Sequence, residues 1–242
     1  MLHTAAAAES IETIELASGG TQKYAVFRND DGKPVTRLMA LFTGGDGEAH
    51  AGLLDGNPVF VGRGLMVDGS RLFLREGTAV AVIDSPSAMP KMSARYRTDE
   101  TYLAGTEKVL EAFRAQFPAA RLYLIGHSNG TISAMALASR MKERVAGVVS
   151  LAGVIRRAED LGEMKITQPI LFMHHGKDTC ASPTYGVSFI NQYHPILVED
   201  IGAHFPSRCG PYSAHHFHGQ EAAVVDMIYR WSNGETLPEK IR

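Results

Sequence analysis

Short, unbroken apolar runs recur along this chain, separated by stretches whose apolar residues return every three or four positions. The runs at 38–42, 79–83, 121–125, 145–151, 170–173 and 196–198 are apolar at nearly every position, the mark of strands covered on both faces. Residues 11–16 and 23–28 instead alternate branched or aromatic residues with polar ones around Gly19-Gly20, which predicts two antiparallel edge strands. Asn29-Asp30-Asp31-Gly32 reads as a turn. Thr98, Asp99 and Glu100 make a capped, dipole-matched start for a helix carrying Leu103, Thr106, Leu110, Phe113 and Phe117, and Pro118 ends it. Ile132, Ala134, Met135 and Leu137 predict a helix over 131–140, and Val224, Ile228 and Trp231 predict one over 220–231. Two further helical segments are predicted, at 65–76 before Gly77 and around 184–192. Strands alternating with helices predict an α/β protein with a mostly parallel central sheet and helices on both faces.

Composition narrows this picture. With 242 residues, 45% of them hydrophobic, the chain supports one core, so residues 11–242 are expected to form a single domain behind a disordered stub at 1–10. Residues 1–8 lack a basic segment and a long apolar segment, so they are no intact signal peptide, although Ala5 to Ala8 fit the remnant of one as well as a plain terminus. A net charge of -2 leaves no electrostatic footprint for nucleic acid. The longest apolar run, 145–155, contains two glycines and a serine and falls short of the roughly 18–20 residues that span a bilayer. Small-molecule chemistry is the expectation.

The candidate chemistry begins at Gly126-His127-Ser128-Asn129-Gly130, which joins a buried strand to a helix start. So sharp a turn strains its central residue and brings its neighbours' backbone close, and the two glycines remove side chains that would clash. The strain lifts the Ser128 hydroxyl clear of the backbone at a helix N-terminus, where an amide and the positive dipole end meet any oxyanion. Ser128 is therefore the candidate nucleophile. Thr43-Gly44-Gly45-Asp46-Gly47 follows another buried strand, and its glycines leave the backbone free to aim N–H groups inward. Among the histidines, His215, His216 and His218 with His174 and His175 invite a metal reading, but their spacing matches no common ligand pattern, and no metal is assigned.

Four features in one order, the serine elbow, the glycine loop, His175-Gly176-Lys177-Asp178 and a histidine before the last helix, resemble those of the α/β-hydrolase fold serine esterases over nearly the whole chain. The resemblance implies an oxyanion hole from the N–H of Asn129 and a loop amide at Gly45 or Asp46, with Thr43-Gly44 standing where the family usually has His-Gly. It implies Asp178 as the triad acid, with Asp200 as runner-up. His215-His216-Phe217 resembles the His-x-Phe of the dienelactone-hydrolase branch, which favours His215 as base. His204, in Ile201-Gly202-Ala203-His204-Phe205, is the alternative base, and His216 and His218 follow. Between Leu151 and Pro169 there is room for only a short helix, so no lid domain is expected and the site should be open.

If Asp178 and His215 meet, the loops bearing Cys180 and Cys209 are neighbours, so a Cys180–Cys209 disulfide is expected to brace acid against base. Such a bond favours a periplasmic or secreted location over a cytoplasmic one. The resulting expectation is a serine hydrolase that cleaves small-molecule or polymeric carboxylic esters through a Ser-His-Asp triad and an acyl-enzyme, with no cofactor. An acyltransferase or peptidase would use the same triad, and a non-catalytic binding module would share the fold. Met89, Arg63 and Tyr185 are candidates for the mouth of the site.

Overall fold

The apolar runs become the strands of one twisted sheet in the structure, a computed structural model that describes residues 7–29, 31–54, 57–60, 63–154, 164–181, 195–199 and 207–241. In chain order the strands are β1 (Ala7–Glu15), β2 (Thr21–Asn29), β3 (Arg37–Phe42), β4 (Ala51–Leu54), β5 (Asn57–Phe60), β6 (Thr78–Pro86), β7 (Arg121–His127), β8 (Gly147–Leu151), β9 (Ile170–His175), β10 (Ile196–Val198) and β11 (Lys240–Ile241). The α-helices among the described residues are α1 (Glu100–Ala115), α2 (Gly130–Met141) and α3 (Glu221–Ser232). Nine of the described strands form the sheet, in the order β1-β2-β6-β3-β7-β8-β9-β10-β11. Only β1–β2 and β2–β6 are antiparallel.

Strand β3 sits where the order reverses, pairing in parallel with β6 through Met39↔Val80 and with β7 through Met39↔Tyr123. Leu38, Met39, Ala40 and Leu41 are wholly buried, as a strand covered on both faces must be. One face packs under α1 and α2, where Val109, Leu110, Phe113, Met135 and Leu137 meet Leu38, Ala40 and Leu124. The other packs under α3 and the 65–73 segment, where Val224, Val225, Ile228 and Phe73 meet Met39, Leu41 and Ile125. A reversal of strand order opens a crevice at the carboxyl ends of the strands, where ligands bind in open α/β sheets. The elbow after β7 and the glycine loop after β3 both open onto that crevice.

Helix α1 starts as expected, with the Asp99 carboxylate accepting the Thr101 N–H at 2.8 Å. Helix α2 is tied to it by Arg140 on Glu100 and Glu107, and the 3-10 turn that follows α2 by Arg144 on Glu107 and Glu111. Residues 65–76 do not form the expected α-helix. They make turns and a short 3-10 helix at Ser70–Phe73, because Asp68, Gly69 and Ser70 are poor in helix propensity and the Ser70 hydroxyl bonds back to the Val67 carbonyl. Strand β1 starts at Ala7, so residues 7–10 pair with β2 instead of belonging to a disordered stub. The β4–β5 hairpin and the two-residue β11, paired with β10 through backbone groups, carry too little side-chain periodicity to be anticipated. The segment expected between Leu151 and Pro169 lies largely, and the helix around 184–192 wholly, outside the described residues. Among the described residues no helix is long and apolar enough to cross a membrane.

Candidate active site

Ser128 has φ +52°, a left-handed conformation that is costly for a residue with a side chain. The surrounding packing enforces it. A Cβ on Gly126 would lie 2.5 Å from the Gly130 carbonyl oxygen, and one on Gly130 would lie 2.2 Å from that of Phe42. The strand-to-helix turn can be this tight only with glycine at both positions, and Ser128 N–H donating to Leu151 O at 2.9 Å secures it. The glycine loop closes over the elbow, where a Cβ on Gly44 would lie 2.9 Å from that of Ser128. Its turn is made by Gly47 N–H donating to Gly44 O at 2.9 Å, and the Asn129 side-chain amide donates to Gly45 O at 3.1 Å.

Asp178 leaves the end of β9 and is buried. Its Oδ1 accepts the Cys180 and Ala181 N–H groups at 2.8 and 3.0 Å, and its Oδ2 accepts His215 Nδ1–H at 2.8 Å. Burial alone would raise the Asp178 pKa, but the hydrogen bond and charge of His215, with help from Ala181 and His174, hold the carboxyl below its ordinary value. His215 stands in a 3-10 turn, Ala214–His216, that ends at Phe217 with φ +58°. Phe217 is wholly buried, and burying a phenyl ring at about 2–3 kcal/mol outweighs a left-handed residue at about 1–2 kcal/mol. The His-x-Phe spacing thus anchors the histidine from beneath.

Ser128, His215, Asn129, Gly44 and Gly45 line one cavity of about 550 Å³. Among the described contacts no hydrogen bond joins the Ser128 hydroxyl to the His215 ring, and contacts of this kind are often long in unliganded sites. The N–H groups of Asn129, Gly45 and Asp46 have no partner among the described hydrogen bonds. His216 also lines the cavity, whereas His218 pairs with Glu221 at 3.3 Å. His204, Asp200 and Tyr185 lie outside the described residues. Arg63 lines the cavity and donates to the Tyr212 hydroxyl at 2.5 Å, while Met89 is exposed away from it. Among the described residues no group of three or more His, Cys, Asp or Glu side chains converges as a metal-binding set.

The Cys180–Cys209 disulfide is present, with both cysteines on the cavity wall. It spans a sequence separation of 29, for which loop-closure entropy gives about 3–4 kcal/mol of stabilisation. The Cys180→Ala/Cys209→Ala variant should lose about that much in urea unfolding, and dithiothreitol should destabilise wild type but not the variant.

Two more histidines stand at the cavity, His127 buried and His216 partly buried. His127 Nε2–H donates to the His215 carbonyl at 2.8 Å, its ring lying 4.3 Å from that of His216 and 4.8 Å from that of His215. Burial first, then repulsion from His216 and His215, pushes the His127 pKa well below its ordinary value, and burial with His215 lowers His216 to about 4. Both rings stay neutral in the folded protein while the unfolded chain protonates them near pH 6.5. Between pH 6.5 and about 4 the unfolded state therefore binds more protons, so stability falls as pH falls, by about 3 kcal/mol from His216 alone across that window. Urea midpoints at pH 7, 6, 5 and 4.5 should decline progressively, and His216→Gln should flatten the slope.

A family model for the alpha/beta hydrolase fold matches residues 83–174. No curated protein matches the sequence. In three dimensions the chain is similar to an α/β serine hydrolase without lid from Xanthomonas campestris, at TM-score 0.63 and 18% identity over 92% of this chain and 94% of that one. The chain has the α/β-hydrolase fold. A dienelactone hydrolase from Anabaena variabilis superposes at TM-score 0.63 with 15% identity over 96% and 99% of the two chains. A cold-adapted esterase from an Arctic intertidal metagenomic library superposes at TM-score 0.59 with 17% identity over 92% and 93%. In the terms of the α/β-hydrolase fold, the cavity lies at the carboxyl ends of β3, β7 and β9, bounded by the elbow, the glycine loop and the turn before the last helix.

Proposed function

We propose that this chain is a serine hydrolase that cleaves carboxylic esters. The observation that carries the reading is the buried 2.8 Å hydrogen bond from His215 Nδ1 to Asp178, made beside the cavity that the strained Ser128 also lines. In this mechanism His215 Nε2 takes the proton of Ser128 Oγ as that oxygen attacks the acyl carbon. Asp178 holds the imidazole with its proton on Nδ1 and stabilises the imidazolium that forms. The N–H of Asn129 and a glycine-loop N–H, at Gly45 or Asp46, stabilise the oxyanion. Collapse of the tetrahedral intermediate expels the alcohol, which takes its proton from His215, and water then releases the acyl group by the same steps. The similarity to proteins described as a serine hydrolase, an esterase and a dienelactone hydrolase supports hydrolysis of esters.

The test is a fluorophosphonate probe followed by peptide mass mapping, run beside a panel of chromogenic esters of graded chain length. Stoichiometric labelling of Ser128 together with ester turnover is expected. A folded protein that resists the probe, or labelling that persists in Ser128→Ala, would overturn the reading. Including an amide analogue and alcohol acceptors separates hydrolysis of esters from peptidase and acyl-transfer activity.

A further inference from the structure

Arg97 is among the largest fully buried side chains, 1% exposed, and none of its described hydrogen bonds reaches a carboxylate. Burying a guanidinium this way carries a desolvation cost that methionine at the same place would not. Its partners indicate a use for it. Nη1 donates to Ser133 Oγ at 2.9 Å, and Nη2 donates to the carbonyls of Gly44 at 3.4 Å and Gly45 at 3.2 Å. The Tyr102 hydroxyl donates to the same Ser133 Oγ at 2.8 Å, so α1, α2 and the glycine loop meet at one cation. The loop is moulded to it, since a Cβ on Gly47 would lie 3.0 Å from Arg97 Nη2 and 2.2 Å from Met92 Cε.

In a trans peptide the carbonyl and the following N–H point in opposite directions, and no peptide bond among the described residues is cis. Drawing the Gly44 and Gly45 carbonyls toward Arg97 therefore turns the N–H groups of Gly45 and Asp46 away from it. We propose that Arg97 is a positioning residue for the oxyanion hole, fixing and polarising the glycine-loop amides from behind. A donor at each carbonyl withdraws charge through its peptide unit and strengthens the N–H on the other side. The buried cation also adds positive potential where charge would develop, and the nearby Asp46 carboxylate partly offsets it. The inference rests on the serine-hydrolase reading.

A matched pair of an ester and its thionoester tests it, because sulfur accepts hydrogen bonds poorly and gains little from an oxyanion hole. Arg97→Gln is expected to lower kcat on the oxygen ester by about 10- to 100-fold with KM nearly unchanged, approaching the loss of one oxyanion donor. Turnover of the thionoester should fall much less, so the ratio of the two rates collapses. Arg97→Lys, which keeps charge without the fork, should fall between, and added guanidinium should partly restore Arg97→Ala. A ratio unchanged from wild type, or both rates falling in parallel, would overturn the inference. If circular dichroism shows Arg97→Gln unfolded, Ser133→Ala decides, since it removes the hydroxyl that anchors Nη1 and accepts from Tyr102 while leaving Arg97 in place. Its ratio should drop by roughly threefold, and no change overturns the inference. Wild type that turns over neither ester and leaves Ser128 unlabelled overturns the hydrolase reading, and this inference with it. An active wild type with an unresponsive Arg97 overturns the inference alone.

Discussion

Ser128→Ala is expected to lower kcat/KM on the best ester of the panel by about 10⁴- to 10⁶-fold, leaving the weak catalysis that binding and oxyanion stabilisation give to direct attack by water. The size follows from the covalent step of the proposed mechanism, in which Ser128 forms the acyl-enzyme. A companion variant ties this loss to the backbone. Ser128 is held at φ +52°, a conformation that costs a non-glycine residue about 1–2 kcal/mol and that alanine would share. Ser128→Gly should therefore be equally inactive yet more stable than Ser128→Ala by about 1 kcal/mol, read as a rise of roughly 2–4 °C in melting temperature. Activity collapsing while stability climbs would show strain retained for function. A glycine variant that melts below the alanine variant would remove that explanation of the elbow.

Asp178→Asn is expected to reduce kcat by about 10⁴-fold near neutral pH with little change in KM. Hydrogen-bond direction sets the outcome. The Cys180 and Ala181 N–H groups both point at Oδ1, so the asparagine amide must present its oxygen to them. Its NH₂ group then faces His215 Nδ1, which must become an acceptor in place of the donor it is to Asp178. The proton moves to Nε2, the nitrogen that in the proposed mechanism receives the hydroxyl proton of Ser128. Geometry survives and the tautomer is wrong. Steady-state kinetics with NMR of the imidazole nitrogens would check both halves, and a variant retaining Nδ1–H with full activity would sink the assignment.

The elbow was legible because its constraint is local. A sharp strand-to-helix turn with backbone on three sides needs glycine at 126 and 130, and those residues appear in the sequence within five positions of one another. The Cys180–Cys209 pairing was legible for a different reason, since an acid at Asp178 and a base at His215 that meet bring the loops bearing the two cysteines together. The expected helix at 65–76 failed where local chemistry prevailed, with Asp68, Gly69 and Ser70 breaking a periodic apolar pattern that Leu65, Val67 and Phe73 satisfy in a tighter turn. Arg97 carried no sequence signal at all. An arginine between a tyrosine and a threonine reads as solvated surface until the fold wraps Gly44, Gly45, Gly47 and Ser133 around it.

The sequence by itself determined the alternation of strands and helices, the mostly parallel sheet and the strained turn at Ser128, because burial period and backbone sterics act over a few residues. The family resemblance favoured His215, and the tertiary structure decided that its ring donates to the Asp178 carboxylate. His215 and His216 are adjacent in the chain and both rings pack near that of His127, but of the two only His215 hydrogen-bonds Asp178 among the described contacts. Tertiary structure likewise decided the places of His127 and Arg97 at the site, since their partners, the carbonyls of His215, Gly44 and Gly45 and the hydroxyl of Ser133, come from distant parts of the chain, and where a carbonyl points is set by the packed fold and not by the residue that bears it.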